Sequence, residues 1–193
     1  MENRILLIGD ELFGDQGEAA NRFTELLLCT EANRPIQFFI NAPVILSISQ
    51  LTGRASSDII GKRAGRMIFG LGLRELRRNT DANLVFEQYA ALADEVLGNT
   101  MSPVHFLTIP AEALPQAPEQ AGLFNQLVMS LEQKNPKRVK VFDFALHAEQ
   151  YKEKQMERGK FGRSLFTEKG APTSLCNMLL ALYLHNEVLK EIK

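Results

Sequence analysis

Short apolar segments alternate with helical patterns from one end of the chain to the other, and this limits the fold more than any other feature. Candidate strands occupy 4–8, 36–41, 66–71, 104–109 and 139–144. Between them lie helical stretches near 17–31, 56–64, 80–97, 119–134 and 146–158, with a last helix over 174–191. Strands separated by helices imply a parallel sheet covered on both faces. Ile5-Leu6-Leu7-Ile8, Met67-Ile68-Phe69 and Val104-His105-Phe106-Leu107 are near-continuous apolar runs, as strands buried on both faces require. The run at 36–41 is broken by polar residues, and the one at 138–143 alternates, so both read as edges. The expected architecture is a three-layer, doubly wound α/β fold with five parallel strands in the order 2-1-3-4-5, flavodoxin-like.

The helices carry their own signals. Thr80-Asp81 can cap the helix that buries Val85, Tyr89, Leu92 and Val96. Leu123, Leu127 and Leu131 mark the next. In the last, Thr173 or Ser174 caps, and Leu175, Met178, Leu179, Leu182 and Leu189 are expected to face inward. No disordered linker or internal repeat divides the 193 residues, so one domain over 1–193 is expected.

Composition excludes some classes of function. A formal net charge of −1 opposes a broad nucleic-acid or anionic-membrane surface. No apolar stretch approaches the roughly 20 residues that span a bilayer, and the first residues enter a strand without a signal-peptide pattern. Two cysteines, Cys29 and Cys176, both in helical stretches, read as reduced and buried thiols, and the expected location is cytoplasmic. No cysteine or histidine pair has metal spacing, and no cofactor is implied. Gly70-Leu71-Gly72 is half a dinucleotide fingerprint after the wrong strand.

In such a sheet, ligands bind beyond the carboxyl ends of the strands where the strand order reverses, between the first and third strands. The loops starting at Gly9 and Gly72 meet there. Gly9-Asp10-Glu11-Leu12 resembles the first sequence block of the SGNH (GDSL) hydrolases, with Glu11 at the place of their nucleophilic serine. Gly53-Arg54-Ala55-Ser56-Ser57-Asp58 resembles the second block, whose glycine N–H is an oxyanion donor; Gly53 matches it. Leu71-Gly72-Leu73-Arg74-Glu75-Leu76 sits where the family has an oxyanion asparagine, here Arg74. Glu168-Lys169-Gly170-Ala171-Pro172-Thr173 resembles the last block, with Glu168 at the catalytic aspartate and Ala171 at the histidine.

The resemblance implies an esterase scaffold lacking the serine, asparagine and histidine of its catalytic set. Serine-type acyl transfer needs a hydroxyl, a base and oxyanion donors. Ala171 cannot accept a proton, and Glu11 puts negative charge where negative charge must develop. The expectation is a catalytically silent protein that binds a small molecule or protein partner through Asp10, Glu11, Gly53, Arg74 and Glu168. Two readings of Arg74 stay open: an ion-pair cluster with Glu11 and Glu168, or a fork that grips an anionic ligand. Three other functions compete with silent binding. In one, Glu11 is a carboxylate nucleophile. In another, an esterase uses displaced residues, Ser56, Ser57 or Ser102 with His147. The third is an oligomerising scaffold. His105 and His185 read as packing or surface residues. The segment Gly159-Lys160-Phe161-Gly162-Arg163 reads as an exposed loop or a lid, and 110–118 as a rim loop.

Overall fold

A computed structural model describes residues 3–13, 18–41, 46–159 and 164–190. Five strands, β1 (Arg4–Gly9), β2 (Gln37–Asn41), β3 (Arg66–Gly70), β4 (Val104–Leu107) and β5 (Val139–Phe142), form one sheet in the order β2-β1-β3-β4-β5. Every pairing is parallel. Ile5, Leu6, Leu7 and Ile8, with Met67, Ile68, Phe69 and Val104, are buried from solvent. Gln37 on β2 and Lys140 on β5 are exposed, as edge positions are.

Helices cover both faces. On one, α1 (Glu18–Thr30) packs on α8 (Ser174–Tyr183), which also touches α7 (Phe144–Glu157). On the other, α5 (Ala82–Asn99) packs on α6 (Pro118–Lys134). Two short helices, α2 (Ile48–Gly53) and α3 (Ala55–Asp58), lead to β3, and α4 (Leu73–Arg77) follows it. Asp81 caps α5 by accepting from Asn83 N, and Val85, Tyr89, Leu92 and Val96 lie in the core. Among the described residues no helix is long and apolar enough to cross a membrane.

Several sequence expectations shift. The stretch 56–64 is two short turns of helix rather than one, and α2 and α4 were not anticipated. On α6 the buried face is Ala121, Phe124, Val128 and Leu131, leaving Leu123 and Leu127 half-buried. On α8 the core residues are Cys176, Leu179, Leu180, Ala181 and Tyr183, while Met178 and Leu182 are 45% and 41% exposed. One residue turns a helix by about 100°, and here the cap fixes the rotation. Thr173 accepts from Cys176 N and is itself bonded to Leu165 O, so Cys176 faces inward. Both cysteines are free thiols, but Cys29 is exposed rather than buried. Residues 160–163 of the suggested lid lie outside the described residues.

Candidate functional site

Gly9 and Gly70 are neighbours in register at the carboxyl ends of β1 and β3. The ring of Phe13 lies directly on both: a Cβ on Gly9 would stand 1.4 Å from Phe13 Cδ2, and one on Gly70 2.6 Å from Cζ. Phe13 is buried and stacks on Phe23 of α1 at 4.8 Å. The floor of the crevice is therefore apolar and filled.

Above it, Asp10 joins the two loops. Its N–H donates to Gly70 O at 3.0 Å. Its Oδ2 accepts from Gly72 N at 2.7 Å and Arg74 N at 3.2 Å, and its Oδ1 accepts from Leu12 N at 3.2 Å. Burial pushes the Asp10 carboxyl up to about 7, against the pull of those backbone donors, while the nearby Glu75 charge pushes the same way as burial. Glu75 in turn accepts from Ile48 N at 3.1 Å, docking the capped start of α2 beside the site.

Arg74 and Arg77 stand three residues apart on α4, on one face of the helix. Both reach Glu11, the first residue of the short 3₁₀ turn after β1. Arg74 Nε lies 3.5 Å from Glu11 Oε1, and Arg77 Nη1 donates to Glu11 Oε2 at 2.5 Å. Arg74 is almost wholly buried, whereas the Glu11 and Arg77 side chains keep 24% and 20% of their surface. Arg77 Nη2 also donates to Gly170 O at 2.5 Å, and Nε and Nη2 donate to Ala113 O at 3.3 Å.

The other anticipated site residues are dispersed. Glu168 is exposed in the turn before α8 and makes no ion pair with Arg74; it lines a cavity of about 360 Å³ with Glu112, Ser164, Phe166 and Thr167. Ala171 is held in that turn, donating its N–H to Thr167 Oγ1 at 3.1 Å. Gly53 ends α2, exposed, about 7–8 Å along the axis from Ile48, where a residue's N–H serves its own helix. Arg77 was not anticipated. Its signal was the spacing Arg74-Glu75-Leu76-Arg77, which gains meaning only once a helix follows β3.

The histidines lie elsewhere. His105 is buried in β4 against Phe142, both ring nitrogens lack partners, and burial lowers it to about 3 with help from Arg66 and Lys140. His147 packs on Tyr183 at 4.6 Å, and burial lowers it as well. His185 Nδ1 is 2.6 Å from Glu31 Oε1, beyond the end of α1. Of the serines considered, Ser57 donates to Asp58 Oδ1 and Ser102 to Ala64 O, and Ser56 is exposed on α3. Among the described residues no group of acids, histidines and cysteines is arranged to hold a metal ion.

No family profile and no curated protein matches the chain by sequence. Its fold is shared with solved structures of a lipase/acylhydrolase, an esterase and a lipolytic protein. A lipase/acylhydrolase from Enterococcus faecalis superposes with a TM-score of 0.75 at 12% identity, covering 99% of this chain and 97% of that one. The psychrotrophic esterase EstA from Pseudoalteromonas sp. gives 0.71 at 14% identity, with 97% of each chain covered. A member of the lipolytic G-D-S-L family from Veillonella parvula DSM 2008 gives 0.69 at 13%, covering 97% and 98%. The chain thus has the SGNH-hydrolase-like α/β fold along nearly its whole length.

Proposed function

We propose that this chain is a catalytically silent SGNH-fold protein that acts by binding a small molecule or a protein partner, not by cleaving esters. The observation that carries this reading is Glu11, a carboxylate shared by Arg74 and Arg77 at the position matching the family's serine. An acyl-transfer site there needs a hydroxyl and room for an oxyanion. Glu11 supplies neither, and Arg74 and Arg77 both pair with it. Ala171, at the position matching the base, has no proton acceptor in its side chain. Losing the nucleophile or base of such a set costs on the order of 10⁶ in rate.

The test is hydrolysis of p-nitrophenyl acetate and butyrate, with fluorophosphonate labelling in parallel. The expected result is release at the buffer rate and no labelled serine. Steady release abolished by substituting Glu11 or Arg74, or a serine that takes the probe, overturns the reading.

A further inference from the structure

Arg77 also lines a second cavity, of about 180 Å³, with Asn79, Gln116 and Lys169, and with Pro115 and Ala117 in its apolar wall. We infer that this cavity is a subsite for a small oxyanion, the carboxylate or phosphate group of a larger ligand. The inference rests on the reading of this chain as a binding protein, and it names the chemistry bound.

The lining holds two cations, two carboxamides and no acid. Arg77 has five N–H donors. Its contacts to Ala113 O, Gly170 O and Glu11 use four and leave one on Nη1. Glu11 is a single negative charge shared between two guanidiniums, and no acid lines the cavity itself, where Lys169 adds a further cation. Lys169 makes no ion pair among the described residues. Its backbone is held beside Arg77 because the next carbonyl, Gly170 O, accepts from Arg77 Nη2. The one remaining N–H on Arg77 Nη1, an ammonium and amide donors around one space suit an oxyanion.

The surroundings bound the site. Across Pro115 lies the cavity that carries Glu112 and Glu168, which repels the same anion. The volume suits a headgroup and is below the roughly 300–1,000 Å³ of a pocket that encloses a whole drug-sized molecule. The rest of the ligand must therefore extend past the rim, over the exposed Pro115 and Gln116.

The experiment titrates the protein with inorganic phosphate, and separately with acetate, at ionic strength held constant with chloride. Amide chemical shifts report the site. Saturable shifts at 114, 116, 117 and 169–170 are expected, weakened about tenfold in Lys169→Ala and unchanged in Lys190→Ala, an exposed control. Both lysines are exposed, so the variants fold. Shifts that grow linearly without saturating, or that persist unchanged in Lys169→Ala, overturn the subsite. Ester hydrolysis on the same samples separates the two readings. Saturation together with hydrolysis sinks the silent-binding reading and keeps the subsite; silence without saturation does the reverse.

Discussion

Arg77 and Glu11 meet at 2.5 Å, from Nη1 to Oε2, and Nε and Nη2 of that guanidinium donate to the backbone carbonyls of Ala113 and Gly170. One side chain thus joins the loop after β1, the loop after β4 and the turn before α8. In an open parallel sheet these loops come from separate crossovers, and nothing in the sheet ladder itself holds them together.

Removing that guanidinium therefore acts on three loops at once. Arg77→Ala leaves two carbonyls without their donor and Glu11 with only the longer contact to Arg74. The expected loss is about 2–4 kcal/mol in urea unfolding. Arg77→Lys keeps the charge but cannot span three acceptors, so it recovers no more than about half. Hydrogen exchange at 112–114 and 166–171 should rise in both variants. If exchange there is unchanged in Arg77→Ala, the guanidinium is not the tie.

A serine at position 11 alone should not create acyl-transfer chemistry. Glu11→Ser supplies a hydroxyl, but Ala171 accepts no proton, and Arg74 is left buried without its carboxylate. Fluorophosphonate labelling should stay at background, with stability falling by about 2–3 kcal/mol. Adding Ala171→His places an imidazole one residue from Gly170, which Arg77 bridges to position 11. Labelling is expected only in that double variant. Labelling in the single variant refutes the correspondence of Ala171 with the base.

The strands were legible in the sequence because each is a short apolar run whose composition reflects coverage on one face or two. Ile5-Leu6-Leu7-Ile8 reads as a central strand and Val139-Lys140-Val141 as an edge, and the sheet order agrees. That Asp10, Glu11 and Arg74 come together was legible because they follow the first and third strands directly. Arg77 was not, because five residues of α4 give too short a window for a period to show. Nor was the inward face of α8, where leucines lie on several sides of the helix. A hydrogen bond between Thr173 and Leu165 O, far from any apolar pattern, sets its rotation. Gly53 matched a short degenerate block, but chain position alone could not place it at the end of a helix.

Asp10 and His105 make opposite demands on pH. Asp10 is raised to about 7, so it holds a proton more tightly folded than unfolded. Its contribution is full below its ordinary value near 4 and is lost as pH rises towards 7. His105 is lowered to about 3, so its contribution is full above its ordinary value near 6.5 and is lost as pH falls. Between about pH 4 and 6.5 the two slopes oppose each other. Relative to the parent chain, His105→Phe should gain stability on acidification through this window, and Asp10→Asn should lose it. Urea midpoints across about pH 4 to 8 measure both differences. Variant curves parallel to the parent refute the assignment for that residue.

The two glycines of the family-like blocks should respond to alanine in opposite ways. Gly170 has φ +81°, and a Cβ there would stand 2.3 Å from Ala113 O and 2.8 Å from Pro115 Cδ. Those atoms are backbone and a fixed ring, so they cannot swing aside. Gly170→Ala must both strain the chain and push away the carbonyl that Arg77 holds. A loss of about 2–4 kcal/mol is expected. Gly53 ends α2, exposed, with no neighbouring atom within 4 Å of the added carbon and no unusual φ. Alanine there replaces the weaker helix former, so Gly53→Ala should be neutral or stabilise by up to about 1 kcal/mol. Thermal unfolding of the pair decides. A severe loss at Gly53 would place that glycine against something the fold does not show. A harmless Gly170→Ala would mean that the turn before α8 does not rest on Ala113.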